Sequence, residues 1–224
     1  MTDRQEYILK MVIDHFIETA EPVGSTFLVE QKGLEVSGAT VRNEMRELEI
    51  LGYLTHRHTS AGRIPTEMGY QYYVAHLMEE SVIDENLKEV VQNILKTNQI
   101  DTHKNLAKIF SSWTGTAAII GIGKTGFYYT GLANIFSQPE FQDSAATLNI
   151  SRLFDQCEVS IPEMMEQLEE DIVHLFIGSQ NPLGAFCGAV AMKINNDPWL
   201  LIGPMRMNYS KCIASIQYVK EMLK

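Results

Sequence analysis

Two arginines and an asparagine share one face of a predicted helix near the start of the chain. The segment GATVRNEMRELEIL places Arg42, Asn43 and Arg46 opposite an apolar face that includes Val41 and Leu48. Arginine pairs bidentately with guanine, asparagine pairs with adenine, and either side chain can hold a phosphate. A solvated surface face is the simpler interpretation for an arbitrary helix, but the next segment favours a helix that recognises DNA.

A basic stretch, THRHTSAGRIPT at residues 55–66, follows in a chain whose formal net charge is −10. Gly62 permits a tight turn and Pro65 stiffens the exit, which predicts a hairpin. An ordinary surface loop accounts for the glycine and the proline but not for Arg57 and Arg63. We therefore expect a wing whose cations, hydroxyls and backbone amides meet phosphate oxygens.

The elements before the hairpin complete a recognisable arrangement. Apolar spacing predicts an amphipathic helix over residues 4–19, and a proline-containing turn ends it. Ser25 is the expected N-cap of a short helix through Gln31, and Ser37 caps the third helix, which stops at Gly52. Three helices followed by a hairpin predict a winged helix-turn-helix.

This N-terminal third is itself acidic. Residues 1–78 hold seven Lys/Arg against eleven Asp/Glu, and non-specific affinity grows with the number of phosphates that a protein neutralises. Useful affinity would then require two copies on a two-fold site, so we expect a homodimer.

Composition limits the remaining classes. A length of 224 residues with 45% hydrophobic content supports one large domain or two small ones. The sequence has no apolar run of the ~20 residues that are needed to span a bilayer. It also lacks the pattern of a secretory signal. Cys157, Cys187 and Cys212 are odd in number and far apart, which predicts a reducing cytoplasm and argues against a disulfide framework or a cysteine-based zinc site. We expect no metal site and no cofactor.

A second apolar series lies beyond the hairpin. Ile83, Leu87, Val90 and Ile94 step by four, three and four, which is typical of a stripe for a helical partner. About two heptads are short for a coiled coil, so packing on the chain's own C-terminal domain is an equal alternative.

Residues 121–126, GIGKTG, match GxGxxG on paper. A dinucleotide site requires a helix directly after the glycines, whereas FYYTG is strand-like, and a phosphate loop would need glycine in place of Ala118. A turn between strands is the preferred interpretation, and a nucleotide-dependent enzyme that uses Lys124 stays an unfavoured alternative.

Further strands and helices predict an α+β C-terminal half. Strands are expected in AAIIGI, VHLFIG, GAVAMKI and WLLIGPM, and helices over residues 102–112 and in SKCIASIQYVKEML. Ser160 with Glu163 predicts a capping box. This half contains no catalytic constellation that the sequence justifies, so an enzyme is disfavoured.

Six motifs along the chain are EPVGS, SGATVRNEMRELEILGYL, HTSAGRIPTEMGYQYYV, GLANIFSQPEF, FIGSQNPLG and GPMRMNY. Together they resemble the HrcA family of bacterial heat-inducible transcription repressors. The resemblance implies a winged-helix repressor that binds, as a homodimer, an inverted-repeat operator upstream of chaperone genes. It also implies a GAF-like C-terminal domain with an inserted dimerisation domain, and activity maintained by the chaperonin.

The sequence departs from the family in four places. It is shorter than a usual member, with the gap near Lys124–Phe127. Gly38 replaces a usual proline, and Met205 and Asn208 stand where Thr and Asp are usual.

The elements and the resemblance together predict three parts: a winged-helix domain at 1–78, a helical linker at 79–102 and a reduced GAF-like domain at 103–224.

The expected function is sequence-specific repression of heat-shock genes, and a ligand-sensing regulator is the alternative. Expected partners are double-stranded DNA with an inverted repeat, a second copy of the chain and the chaperonin, but no membrane. The stripe Ile83, Leu87, Val90 and Ile94 is one candidate dimer surface, and the segment GLANIFSQPEF at residues 131–141 is the other. The predicted DNA-contacting residues are Ser25, Thr26, Ser37, Thr40, Arg42, Asn43, Arg46, Arg57, His58, Thr59, Ser60 and Arg63.

Overall fold

The computed structural model describes residues 1–30, 34, 36–56, 62–96, 101–122 and 126–223. The chain divides into two compact units, Met1–Glu79 and Glu80–Lys224. The three-part division at residues 78 and 102 stays a prediction.

The described residues of the first unit form four α-helices and a two-stranded antiparallel sheet. Its elements are α1 (Asp3–Thr19), α2 (Ser25–Glu30), α3 (Gly38–Ile50), β1 (Leu54–Thr55), β2 (Ile64–Pro65) and α4 (Glu67–Tyr72), which continues into a π-helical turn (Tyr73–Leu77). The predicted first and third helices are confirmed. Ser25 is the first residue of α2 rather than its N-cap, and Gln31 lies outside the described residues.

Local capping explains where α1 begins and ends. The Thr2 side chain accepts the backbone N–H of Gln5 while the Gln5 side chain accepts that of Thr2, which satisfies two N–H groups that the helix leaves unpaired. Ala20 has a left-handed backbone with φ of 60° and ends the helix.

The segment after the hairpin packs back onto α1. The hydroxyl of Tyr72 donates to Glu6, and this hydrogen bond raises the pKa of Tyr72 to about 12. The hydroxyl of Tyr73 donates to Asp14 at 2.6 Å, and burial raises the pKa of Tyr73 well above its usual value. These contacts join the end of the unit to its beginning.

The second unit is built around a five-stranded antiparallel sheet with strand order β4-β3-β7-β6-β5. Its strands are β3 (Ala117–Ile122), β4 (Gly126–Thr130), β5 (His174–Ile177), β6 (Gly188–Ile194) and β7 (Asp197–Gly203). Its helices are α5 (Glu85–Lys96), α6 (Thr102–Thr114), α7 (Leu132–Phe136), α8 (Ser144–Asp155), α9 (Cys157–Met165) and α10 (Tyr209–Leu223). Short 3-10 turns occupy Pro139–Phe141 and Gly178–Gln180.

The central strands are buried on both faces. Ile119, Ala191 and Leu200 join a core with residues of α8 and α9. The alternate residues Ala118 and Leu201 lie with residues of α6 and α10 around a small void on the opposite face. The architecture is α+β, as predicted, and is consistent with a GAF-like domain.

Two details of the second unit differ from the sequence expectation. Helix α9 begins at Cys157, so Ser160 lies inside it. The backbone N–H of Ser160 donates to the carbonyl of Gln156. The predicted capping box at Ser160 is therefore wrong. Helix α8, capped by Asp143, was not predicted at all.

The three cysteines are free and buried. Burial raises the pKa of the Cys187 thiol to about 12 and that of Cys212 further. Among the described helices, none is long and apolar enough to cross a membrane.

Candidate nucleic-acid interface

The face of α3 that was expected to read bases is exposed. Ala39, Arg42, Asn43 and Arg46 all lie at the surface. The opposite face is buried and consists of Val41, Glu44, Met45 and Leu48. The helix thus divides as its sequence periodicity predicts.

Polar contacts fix the start and the inner side of α3. The Ser37 hydroxyl accepts the backbone N–H of Thr40 at 3.1 Å and caps the helix. From α1, Arg4 Nε donates to Glu44 Oε1 at 2.8 Å, and Gln5 Nε2 donates to Glu47 Oε2 at 2.6 Å. These bonds hold the helix so that its exposed face has a defined direction.

The cations of the first unit separate into two groups. Arg4 pairs with Glu44, Lys10 with Asp14 and Glu79, and Arg63 with Glu49. Within the described part of this unit, Arg42 and Arg46 form no ion pair. The positive charge that the fold leaves uncompensated there lies on the exposed face of α3.

The hairpin is bonded to the segment before α2 through Arg63, which directly precedes β2. The backbones of Val23 and Arg63 exchange two hydrogen bonds, of 2.9 and 2.7 Å. A Cβ atom at Gly62 would lie 2.6 Å from the Val23 carbonyl group and 2.8 Å from that of Pro22. Only glycine fits this approach, so the close contact between the hairpin and the segment before α2 requires Gly62.

Glu49, near the end of α3, contacts both sides of the hairpin where its strands meet the loop. Its Oε1 is hydrogen-bonded to His56 Nδ1, and its Oε2 lies 2.9 Å from Arg63 Nη2. Sequence reasoning missed Glu49, because its partners His56 and Arg63 lie seven and fourteen residues away. These separations match no local sequence pattern that predicts a contact.

The other predicted DNA-contacting residues are distributed as follows. Ser25 is half-buried and Thr26 is exposed at the start of α2, and Thr40 is half-buried behind Ser37. Arg57, His58, Thr59 and Ser60 lie outside the described residues. Contact of any of these residues with DNA stays a prediction.

The apolar stripe proposed for dimerisation lies mainly on α5, and its members differ in exposure. Ile83 is buried, Leu87 and Ile94 are half-buried, and Val90 is 48% exposed. Val91, which was not assigned to the stripe, is fully buried where α5 packs against α6. Packing within the second unit therefore accounts for part of the stripe.

Motif residues of the second unit have structural partners. Arg206 is 9% exposed and forms a bidentate pair with Glu140, with Nε–Oε1 at 2.5 Å and Nη2–Oε2 at 3.2 Å. Asn134 Nδ2 donates to the carbonyls of Ser111 and Thr116, both at 3.0 Å. Polar residues of GPMRMNY and GLANIFSQPEF are thus engaged in contacts between segments of the second unit.

A cavity of about 300 Å³ opens at one end of the sheet on the side of α9. Phe127, Met165 and Pro198 contribute apolar walls, and Lys193 and Asp197 contribute charge. Burial raises the pKa of the Asp197 carboxyl. Beside the cavity, Gly126 begins β4 rather than a helix, so the glycines of GIGKTG lack the helix that a phosphate loop requires. The predicted turn at 123–125 lies outside the described residues.

Comparison with known proteins decides the family. A model of the HrcA protein C-terminal domain matches residues 71–213. This chain belongs to the HrcA family. The heat-inducible transcription repressor HrcA of Roseiflexus castenholzii is 50% identical over 93 residues, which are 42% of this chain and 26% of that protein.

A second HrcA relative gives the same result over a longer segment. The heat-inducible transcription repressor HrcA of Symbiobacterium thermophilum is 43% identical over 121 residues, 53% of this chain and 36% of that protein. The chain thus spans between 26% and 36% of the length of these two curated relatives.

The fold has a counterpart among solved structures. The crystal structure of a hypothetical protein at 2.2 Å resolution superposes with a TM-score of 0.76 over 100% of this chain and 97% of that chain. Its sequence identity is 16%, so this likeness concerns the fold alone.

Proposed function

We propose that this HrcA-family chain is a sequence-specific transcriptional repressor of heat-shock genes that binds an inverted-repeat operator as a homodimer. The observation that carries the proposal is the exposed face of α3, where Arg42 and Arg46 flank Asn43 without an ion-pair partner among the described residues. The names of the relatives, heat-inducible transcription repressors, support the same function.

In this proposal the first unit is a winged helix-turn-helix. Helix α3 enters the major groove, where the guanidinium and amide groups reach base edges. Ser37 and Thr40 lie at the positive end of the helix dipole and contact phosphates. The hairpin that β1 and β2 form is the wing, and it lies along the DNA backbone. A dimer bound across a promoter then represses by excluding the polymerase.

The two-fold requirement follows from charge. The first unit holds more carboxylates than cations, so a single copy neutralises few phosphates. Two copies on an inverted repeat double the number of base contacts. The second unit supplies the pairing surface, and the chaperonin is a further proposed partner in the cytoplasm.

A fluorescence-anisotropy titration tests operator binding. The probe is a labelled duplex that carries the family's inverted repeat, and the comparison is the same duplex with both half-sites scrambled. We expect the repeat to bind at least ~10³-fold more tightly at physiological salt, which is the lower range for specific DNA-binding proteins. Equal affinity for the two duplexes would refute sequence-specific repression.

Sedimentation equilibrium tests the dimer and its surface. Val90→Asp introduces a charge at an exposed position of the stripe and should raise the monomer fraction. Ile172→Asp is the matched control, because Ile172 has a similar exposure of 46% in the same unit but lies outside the stripe. An unchanged dimer in Val90→Asp would move the proposed interface to residues 131–141, the other candidate.

A ligand-sensing regulator is the second candidate function, and the cavity beside β4 is the observation that favours it. Its volume of about 300 Å³ lies at the lower limit for small-molecule sites. A metabolite that binds there should raise the melting temperature in a concentration-dependent manner. Lys193→Met should abolish that shift if the ligand occupies the cavity.

A further inference from the structure

Glu49 lies near the end of α3, the proposed recognition helix, and contacts residues on both sides of the proposed wing. Its carboxylate accepts from His56, directly after β1, and pairs with Arg63, directly before β2. One carboxylate on α3 therefore contacts both sides of the hairpin, at the ends of its strands that face the loop.

The Arg63 side chain has little freedom to leave this position. Its backbone is fixed by two hydrogen bonds to Val23, and the neighbouring Gly62 is pressed against Pro22 and Val23. The side chains of Arg63 and Glu49 are each only 22% exposed. A partly desolvated pair with a fixed backbone is harder to separate than a pair on the open surface.

We propose that Glu49 determines selectivity by withholding the charge of Arg63 from DNA phosphates, an inference that rests on the proposed repressor function. Sequence-independent affinity depends on the number of phosphates that cations neutralise. With Arg63 paired to Glu49, the cationic side chains left for DNA in the described part of the unit are Arg42 and Arg46, which also reach base edges. The same charges then serve recognition rather than general attraction.

The proposal predicts a gain of non-specific binding when Glu49 is neutralised. In Glu49→Gln, Arg63 retains its charge without a charged partner and can neutralise one more phosphate. The slope of log K against log salt should steepen by about one unit per subunit. Affinity for the scrambled duplex should rise by at least about threefold at low salt, and the ratio of operator to scrambled affinity should fall.

Three variants separate this mechanism from its alternatives. Glu18→Gln removes the same charge from an exposed position of α1 and should leave the slope unchanged. Arg63→Gln should also leave the slope nearly unchanged, because its charge is already compensated. Glu49→Gln/Arg63→Gln should lose the extra unit of slope that Glu49→Gln alone shows.

The titrations use the full chain, after denaturant unfolding has shown that each variant is folded. An unchanged slope in Glu49→Gln, or a slope that Arg63→Gln flattens by a full unit, overturns the role of Glu49 while operator preference persists in the parent chain. Arg63→Gln decides the question even where Glu49→Gln does not fold. Loss of operator preference in the parent chain itself would instead refute the repressor function.

Discussion

Arg46 in the first unit and Arg206 in the second have opposite environments. Arg46 is exposed on α3, and it forms no ion pair within the described part of its unit. Arg206 is 9% exposed, and its guanidinium is occupied by Glu140 and Gln138. Both belong to segments that resemble the same family, so motif membership alone does not separate recognition from architecture.

Two asparagines repeat the contrast. Asn43 is exposed beside Arg42 on α3, whereas Asn134 donates to the two carbonyls of Ser111 and Thr116. A polar side chain that already forms its hydrogen bonds within the protein has few donors or acceptors left for a ligand. The useful distinction is therefore whether the protein itself supplies a partner, which a structure answers and a motif does not.

The largest effect is expected on folding stability, when Arg206 is replaced. In Arg206→Ala the partly buried carboxylate of Glu140 loses its cation, which should lower the free energy of unfolding by about 3 kcal/mol. Urea unfolding followed by circular dichroism measures the loss. Arg152→Ala, at an exposed position of α8, is the matched control and should change stability by less than about 0.5 kcal/mol.

Equal stability of the Arg206 and Arg152 variants would contradict the assignment of Arg206 to architecture. The opposite test is DNA binding, where folded Arg206→Lys should retain the operator affinity and the salt dependence of the parent chain.

The next effect is expected at the exposed arginines of α3. Arg42→Ala and Arg46→Ala should each weaken operator binding by about 1–3 kcal/mol, because a bidentate base contact is lost. Their unfolding should stay within about 0.5 kcal/mol of the parent chain, since neither side chain has a described ion pair to lose. Anisotropy with operators substituted at single positions locates the base that each arginine reads.

If both variants bind every duplex as the parent chain does, α3 is not the recognition helix. A uniform loss on operator and scrambled DNA would assign the two arginines to phosphates instead.

A smaller effect separates the two asparagines. Asn134→Ala leaves two carbonyl groups without this donor and should lower the free energy of unfolding by about 2 kcal/mol. Asn43→Ala should leave stability within about 0.5 kcal/mol and relax operator selectivity at one position. The contrast fails if Asn43→Ala is the less stable of the two variants.

Local signals in the sequence predicted much of the first unit. Ser37 was identified as the cap of α3 because the cap and its partner Thr40 lie three residues apart. The buried and exposed faces of α3 followed from a period of 3.6 residues. The strands of the second unit were found because AAIIGI and GAVAMKI are almost continuously apolar and buried on both faces.

Long-range pairings were not accessible in this way. Arg206 meets Glu140 across 66 residues, and Arg63 meets Val23 and Glu49 from two other elements. At Ser160 a local signal was misleading, because α9 already begins at Cys157 and Ser160 lies within the helix. Sequence reasoning thus predicted which face of α3 is exposed, but it did not predict the ion pair between Arg63 and Glu49.

The smallest predicted effect concerns Ser37, which has a structural role and a proposed DNA-binding role at one atom. Ser37→Ala removes the cap of α3 and should lower the free energy of unfolding by about 1 kcal/mol. Ser37→Asp keeps a good cap and favours the helix dipole, so stability should be preserved. The added carboxylate would nevertheless repel a phosphate at this helix end, so operator affinity should fall in the stable variant. Denaturant unfolding and anisotropy on the same two proteins separate the roles. If Ser37→Asp binds the operator as tightly as the parent chain, Ser37 is a helix cap only, and the proposed DNA-facing surface of α3 begins after its N-cap.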